Sequence, residues 1–282
     1  MKFSSYAEYD PQGIALAIPA LLTAWSALQR FDDDVVVVGG LVPHLICAHP
    51  NTESALPRPA TLDVDIGIAL GASAGQYGTI QSDLRCQGFV RSSRYPSRLE
   101  KKVSLHTVYL DFLVEYDDRR KNKGTVMVDD VVANVLPGVN RALATARSVP
   151  VRGNDLFGAE QSLTVRVCEV GPYFALKLRA FGSRQAPKDA FDLLYTYTHY
   201  DRGSAQVPRA FRGEADAGNP AFADAQASLR AHFANERSTG PVRAAHFVYG
   251  DVMLDRGDEG RLRRLQVQQD AVSMALDLAA AF

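Results

Sequence analysis

The segment ATLDVDIGIAL, residues 60–70, places two aspartates two positions apart in an otherwise apolar run. Side chains alternate along a β-strand, so Asp63 and Asp65 share one face, and the aliphatic residues around them occupy the other. At the Cα level the two aspartates are roughly 6.5–7 Å apart, close enough for their tips to converge on one cation. Without a cation or solvent, each would raise the pKa of the other. Taken alone, the segment is equally an amphipathic strand with its polar face in water.

A third acid, Asp111, favours a cation-binding site over a polar face in water. The segment 103–116, VSLHTVYLDFLVEY, alternates and predicts one long strand, with Asp111 on the same face as Tyr109 and Leu113. An isolated carboxylate on an apolar and aromatic face needs a partner. If this strand pairs beside residues 61–69, Asp111 completes a three-carboxylate cluster. Hard oxygen ligands of this kind suit Mg²⁺ or Mn²⁺ rather than zinc.

Two glycines mark a possible phosphate-binding turn. DVVVVGG, residues 34–40, predicts a buried strand that ends in a tight turn at Gly39 and Gly40, before a short helix within 41–49. Backbone N–H groups at such a helix start can bind phosphate, although an ordinary strand-to-helix turn has the same sequence. The segment has neither the G-x-x-x-x-G-K-[ST] motif nor the G-x-G-x-x-G motif of the two common nucleotide-binding loops.

The pattern of elements changes near residue 170. Before it, strands and helices mix, with an apolar helix predicted at 13–30, an edge strand at 89–95 and a strand at 163–170. After it, the chain is mostly helical, and residues 201–220 are predicted to be a polar loop. The predicted C-terminal helices cover 172–184, 188–200, 223–236 and 261–282. The fold class expected is therefore α+β, with a helical second half.

Composition excludes several classes of protein. Of the 282 residues, 46% are hydrophobic and 22% charged, with a net charge of −1, which is ordinary for a globular chain and excludes a strongly basic surface overall. The three widely spaced cysteines, Cys47, Cys86 and Cys168, are predicted to be reduced core residues. The apolar run 14–28 is short for a membrane span, contains Pro19 and lacks a basic start, so we expect a cytoplasmic protein without a membrane partner.

The order of these motifs resembles the DNA polymerase β-like nucleotidyltransferase superfamily, in which a glycine pair, an Asp-x-Asp strand and a later aspartate follow one another. Here these are Gly39-Gly40, Asp63-Val64-Asp65 and Asp111. More narrowly, the chain resembles the AbiEii/AbiGii toxin nucleotidyltransferases over roughly residues 35–200. That resemblance rests on Arg58 ahead of the Asp-x-Asp segment and on LKLRAFGSRQAPKDAFDLLYTY, which contains Lys177, Arg184, Lys188, Asp189 and Asp192. Departures are a longer Gly40–Asp63 segment, prolines at 57 and 59 and Leu41 where many members have Ser.

The resemblance implies a polymerase β-like core in residues 1–170, a mixed sheet with flanking helices that carries the catalytic carboxylates. A helical domain, residues 171–282, would complete the cleft. The activity implied is Mg²⁺-dependent transfer of a nucleotide from an NTP. Asp63, Asp65 and Asp111 would hold the metal, and Asp111 would also help to deprotonate the acceptor hydroxyl.

The resemblance also implies a set of nucleotide-binding residues. Gly39, Gly40 and Arg58 would lie near the phosphates, Lys177 would contact the triphosphate, and Asp192 would contact the nucleotide or support Lys177. From spacing alone, Lys177 is also consistent with a surface lysine, and Lys188 with Asp192 is consistent with a helix-stabilising ion pair. The sequence places three tyrosines soon after Asp192 that could stack a base or pack the helix: Tyr195, Tyr197 and Tyr200.

Partners follow from the same resemblance: an NTP, a tRNA or protein hydroxyl as acceptor, and a cognate antitoxin of a bacterial toxin–antitoxin or abortive-infection system. Two alternatives stay open, an antibiotic-type enzyme with a small-molecule acceptor and a catalytically inactive binding module. An RNA acceptor requires a local basic surface. Two runs could provide one or could be solvated turns: Arg91, Arg94, Arg98, Lys101 and Lys102, and then Arg119, Arg120, Lys121 and Lys123.

Overall fold

The computed structural model describes residues 3–50, 54–69, 80–116, 124–128, 130–251 and 257–282. The protein has an α+β fold with a mixed, open sheet, as the sequence predicts. It divides into two compact units. The sheet unit comprises Pro11–Val42 and Thr61–Glu169, and the helical unit comprises Met1–Asp10, Pro43–Ala60 and Val170–Phe282. The change of character near residue 170 is therefore a unit boundary, and two earlier segments also belong to the helical unit.

The described part of the sheet unit contains nine strands, and seven of them are adjacent in the order β3-β4-β5-β2-β1-β9-β8. Strand β7 pairs with β5 and with β6. The strands are β1 Val35–Val38, β2 Asp63–Ile68, β3 Val90–Arg91, β4 Arg98–Val103, β5 His106–Val114, β6 Thr125–Val128, β7 Val131–Val135, β8 Arg147–Asn154 and β9 Glu160–Val167.

Strand β5 is the branching point of this sheet. It runs parallel to β2 and antiparallel to β4. Beyond Arg98, where β4 begins, its residues Leu113 and Val114 pair in parallel with β7. The prediction of one strand over 103–116 was wrong at its start, because Ser104 and Leu105 form the turn of a β4–β5 hairpin. Ser104 has a φ of 53°, a left-handed conformation that ends the alternation on which the prediction relied.

Short helices accompany the sheet: α1 Pro11–Ala15, α2 Ala17–Leu28, α4 Ile80–Cys86 and α5 Val139–Ala144. Helix α2 packs against α4, β8 and β9, and Trp25 is fully buried and donates its Nε1 hydrogen to the Thr164 carbonyl at 3.0 Å. The segment Pro11–Phe31 is long and apolar enough to cross a membrane by length and composition, although residues 14–28 alone are short for a span. Half of its apolar window is buried inside the fold, as in a core helix.

The helical unit is built from α3 Val42–Ile46, which begins at the boundary, and from α6 Val170–Arg184, α7 Pro187–His199, α8 Gln206–Asp216, α9 Phe222–His232, α10 Thr239–Tyr249 and α11 Asp258–Ala280. Helix α6 packs against α8 and α9, and α10 packs against α7 and α11. The prediction of a loop over 201–220 was wrong because it includes α8. The apolar side chains of α8 are few, and Val207 and Phe211 anchor its buried face together with Glu214.

The cysteines are all free thiols, as expected. Cys47 and Cys168 are buried, whereas Cys86, at the end of α4, is exposed, which corrects its assignment to the core. Its apolar neighbours in sequence do not bury it, because only Ile80 and Leu84 of that helix face the interior.

Glu115 links the end of β5 to the start of α5. Its carboxylate accepts hydrogen bonds from the amides of Gly138 (3.0 Å to each oxygen), Asn140 (2.9 Å) and Tyr116 (3.1 Å). The first amides of a helix have no partner within the helix, and a carboxylate there is favoured by hydrogen bonding and by the helix dipole. The sequence patterns alone assign no role to Glu115.

Replacing Glu115 with Ala should destabilise the protein by about 1–3 kcal/mol, since it leaves the Gly138 and Asn140 amides without their acceptor. Urea unfolding followed by circular dichroism measures this. Glu160→Ala is the matched control, because Glu160 is exposed on β9 and should change the free energy of unfolding little. Equal effects of the two substitutions would contradict the capping role.

Candidate functional site

Two of the three acids, Asp65 and Asp111, lie in one row of directly paired residues that crosses four neighbouring strands and is called the acidic row below. Val38 of β1 is directly opposite Asp65 of β2, Asp65 is opposite Asp111 of β5, and Asp111 is opposite Arg98 of β4. Directly paired residues project from the same face of a sheet, and Asp63 shares that face because it lies two residues from Asp65. The pairing on which the three-carboxylate hypothesis depended is therefore present.

Arg98 binds both oxygens of Asp111 through one edge of its guanidinium. Its Nε donates to Oδ1 at 2.9 Å and its Nη2 donates to Oδ2, which is a forked ion pair. The same Nη2 is 3.7 Å from Oδ2 of Asp63, and the guanidinium carbon is 4.7 Å from the ring centroid of Tyr109. The pair is partly buried, with side-chain exposures of 17% for Arg98 and 13% for Asp111. The sequence groups Arg98 with a surface basic cluster, and this contact corrects that interpretation.

Among the described residues, the carboxylates on this face outnumber the cation that contacts them. Asp63, Asp65 and Asp111 lie near Arg98, which leaves a formal excess of two negative charges when all four groups are ionised. Burial raises the pKa of Asp63 to about 6, the carboxylates of Asp65 and Asp111 act in the same direction, and Arg98 opposes them. A raised carboxyl pKa means that the ionised form is disfavoured, and a nearby cation would relieve this.

The donor set fits a hard divalent cation in its chemistry, since carboxylate oxygens are the ligands that Mg²⁺ prefers and a charge of −2 matches one such ion. Asp63 and Asp65 are the two side chains that fit best. Asp111 differs, because Arg98 engages both of its oxygens. Across the described ranges, no group of three or more His, Cys, Asp and Glu side chains is arranged to hold a metal ion. Asp111 could join the other two through the remaining lone pairs of its oxygens, in competition with Arg98 for their negative charge.

The glycine pair positions Asp65. Gly39 has a φ of 71°, and a Cβ atom at this position would lie 1.9 Å from Oδ2 of Asp65. The amide of Gly40 is 3.4 Å from the same oxygen. The absence of a side chain at Gly39 thus creates the space that the Asp65 carboxylate occupies. The expected approach of these amides to a phosphate stays a prediction.

Gly39→Ala should therefore destabilise the protein by about 1–3 kcal/mol for the left-handed backbone alone, and should also displace the Asp65 side chain. Chemical denaturation gives the first effect, and a crystal structure of the variant gives the second. A Gly39→Ala protein as stable as the wild type, with Asp65 in place, would refute this account.

Gly213→Ala is the control for this substitution. Gly213 lies in α8, and a Cβ atom there would meet no atom of the described residues within 4 Å. Alanine should therefore stabilise the helix by about 0.5–1 kcal/mol, through its higher helix propensity.

Lys177 belongs to a buried ionic cluster inside the helical unit. Its Nζ donates to Oδ1 of Asp189 at 3.0 Å and to Oδ2 of Asp192 at 2.7 Å. Lys188 donates to the same Asp192 oxygen at 2.5 Å, and Arg184 donates to both oxygens of Asp189 at 2.5 and 2.7 Å. Lys177 is buried, so the surface-lysine interpretation is wrong, and Asp192 contacts Lys177 directly.

Among the residues just named, three cations are paired with two carboxylates, which leaves a formal excess of one positive charge. Burial disfavours the charged form of Lys177, yet Asp192 and Asp189 raise its pKa, which keeps it ionised. Beside the cluster, burial and then Lys188 lower the pKa of His44 to about 4, so this imidazole is neutral at neutral pH. Sequence patterns do not reveal His44, since only packing brings α3 beside α7.

Lys177→Met should destabilise the protein by about 1.5–3 kcal/mol, because Asp189 and Asp192 each lose a buried hydrogen bond to a charged group. Thermal or urea unfolding tests this, with Arg261→Met as control, since Arg261 pairs with Asp258 on an exposed surface and should matter little. Unchanged stability of Lys177→Met would mean that the cluster does not need this cation.

The other nucleotide-binding candidates are not brought into either cluster. Arg58 is exposed in the segment 54–60 of the helical unit. Tyr195 is buried, with its ring 4.4 Å from that of His199 and 6.0 Å from that of Phe191, which favours helix packing over base stacking. Tyr197 donates its hydroxyl hydrogen to Asp277 of α11.

The basic cluster is largely engaged within the sheet unit. Three of its five side chains donate hydrogen bonds. Arg98 donates to Asp111, Arg91 donates to Gln81, and Lys101 donates to the Gln87 carbonyl. Arg94 and Lys102 are exposed. The second basic run, Arg119, Arg120, Lys121 and Lys123, lies outside the described residues.

Comparison with protein-family models found no match to this chain, and comparison with curated proteins found no match either. The family resemblance therefore rests on the motifs and their spacing.

Proposed function

We propose that this protein is a Mg²⁺-dependent nucleotidyltransferase that moves a nucleotide from an NTP to a hydroxyl group. The observation that carries the proposal is the direct pairing of Asp65 with Asp111 on the face that also holds Asp63. The raised pKa of Asp63 supports it, because perturbed carboxyl pKa values are concentrated at functional sites.

Asp63 and Asp65 would hold the metal, and Asp111 would be the third ligand, in competition with Arg98. Bound there, Mg²⁺ would supply charge neutralisation for the triphosphate and lower the pKa of the acceptor hydroxyl. Gly39 keeps Asp65 in position for this role, and Arg98 orients Asp111 beforehand.

The reaction is a displacement at the α-phosphorus. The acceptor oxygen forms a bond to this phosphorus, and the bond from the α-phosphorus to the pyrophosphate oxygen breaks. The hydroxyl proton passes to the carboxylate of Asp111, and pyrophosphate leaves with the electron pair of the broken bond. The buried Lys177 cluster acts indirectly in this scheme: it holds α6 and α7 together through Asp189 and Asp192.

We infer the acceptor class from the motif resemblance and from one surface feature. The resemblance favours a tRNA or protein hydroxyl, in a cytoplasmic toxin with a cognate antitoxin. Arg94 and Tyr95 are both exposed in the β3–β4 connection, with the Arg94 guanidinium 5.2 Å from the Tyr95 ring centroid. An exposed aromatic ring beside an arginine is suited to contact a single-stranded nucleotide, which favours RNA.

Asp63→Asn should abolish nucleotide transfer. The assay incubates the protein with each α-³²P-labelled NTP, Mg²⁺ and total bacterial RNA, and resolves labelled RNA and protein on gels. Asp258→Asn is the control, because Asp258 is an exposed residue at the start of α11 and its variant should keep full activity. Expression of the wild type should slow bacterial growth, and Asp63→Asn should not. Equal transfer by folded wild type and Asp63→Asn would rule out this site as the source of activity.

The same variant should gain stability in the absence of metal. Because the pKa of Asp63 is raised from its ordinary value to about 6, wild-type stability should fall as the pH rises through this range, and the loss should be complete above pH 7. Asp63→Asn cannot ionise at this position, so above pH 7 it should be more stable than the wild type by about 1–3 kcal/mol in EDTA. Activity and stability then change in opposite directions, unlike the effect of losing a structural aspartate.

A further inference from the structure

We infer that Arg98 is a positioning residue that keeps the divalent-metal affinity of the carboxylate site low until the triphosphate is present. This inference rests on the proposed function, because it assumes that Asp63, Asp65 and Asp111 are metal ligands. It assigns to Arg98 a task that is separate from any contact with RNA.

The contacts of Arg98 make it a competitor for Asp111. A forked guanidinium donates to both carboxylate oxygens of Asp111, so a metal ion bound there would have to share each oxygen with a positively charged donor. The antiparallel register places the two residues directly opposite each other, and the guanidinium also lies over the rings of Tyr109 and Tyr95, at 4.7 and 5.8 Å from their centroids. Arg98 is thus held at the site from several directions.

Charge makes the competition stronger. The guanidinium is also 3.7 Å from Asp63, so it lies close to two of the three carboxylates. A divalent cation held by those carboxylates would be repelled by Arg98 at short range, in surroundings that are partly shielded from water. A charge-delocalised, always protonated arginine cannot relieve this repulsion by losing a proton.

A triphosphate changes this balance. Its anionic oxygens contribute negative charge next to the metal and offer Arg98 an alternative partner to Asp111. The metal and the nucleotide should therefore bind with positive coupling, each raising the affinity for the other. In consequence the free protein would carry little metal, and the three ligands would assemble only in the substrate complex.

The test measures Mn²⁺ binding directly, by electron paramagnetic resonance of free Mn²⁺ and by calorimetry, with and without a non-hydrolysable NTP analogue. Arg98→Gln should bind Mn²⁺ at least about tenfold more tightly than the wild type in the absence of nucleotide. Arg98→Lys keeps the charge but cannot form the fork, so its affinity should lie between the two. Arg152→Gln, which removes an exposed arginine of β8, should match the wild type. With the analogue bound, the difference between wild type and Arg98→Gln should shrink to less than about threefold.

The outcomes separate this inference from the proposed function. Mn²⁺ binding by the wild type together with equal or weaker binding by Arg98→Gln would overturn the role of Arg98 and leave the metal site intact. No Mn²⁺ binding by any folded variant, with or without the analogue, would overturn both. If Arg98→Gln does not fold in EDTA, Mn²⁺ should restore its folding. The Mn²⁺ affinity of Arg98→Lys without nucleotide then tests the role of Arg98. An affinity no higher than that of the wild type would contradict the inference.

Discussion

The parallel pairing of β2 with β5 is the constraint on which the candidate site depends. It places Asp65 opposite Asp111, and the antiparallel pairing of β5 with β4 then adds Arg98 to the same row. Because side chains alternate with a period of two residues, a slip of one position would turn an aspartate toward the core and remove it from the row. The register is held by the buried aliphatic partners on the opposite face, among them Val64, Ile66 and Leu110. The hydrophobic core and the acidic row are therefore two consequences of one alignment.

The buried charge clusters of the two units have charge excesses of opposite sign. In the sheet unit, Asp63, Asp65 and Asp111 outnumber Arg98. Burial raises the pKa of Asp63, and repulsion from the other two carboxylates adds to this effect. In the ionic cluster of the helical unit, cations outnumber carboxylates, and Lys177 stays charged because Asp189 and Asp192 both bind it. Fully buried ion pairs of this kind add little net stability, but the loss of one member is costly. A substitution at Lys177 is thus a test of folding first, and loss of activity in such a variant does not by itself identify a nucleotide contact.

Two glycines leave space for side chains that pack around the acids. At Gly39 the carboxylate of Asp65 occupies the volume that a side chain would fill, and at Gly67 a Cβ atom would meet Val139 and Val36 at 3.0 Å. Glu115 then fixes the start of α5, the helix that carries Val139. The face of β2 that holds Asp63 and Asp65 is therefore covered by α5 two residues further along the strand. This arrangement concentrates the carboxylates at one end of β2.

The α+β class, the helices α6 and α7, and the shared face of Asp63 and Asp65 could be predicted from the sequence, because each follows from the local periodicity of side chains. The same periodicity identifies Asp111 as a carboxylate that needs a partner. That partner is Arg98, and it could not be predicted, because Arg98 comes from another strand through a hairpin that the alternation does not reveal. Burial of Lys177 and the position of His44 were likewise decided by packing between helices, since periodicity reports which face of an element is apolar but not which charges meet across it.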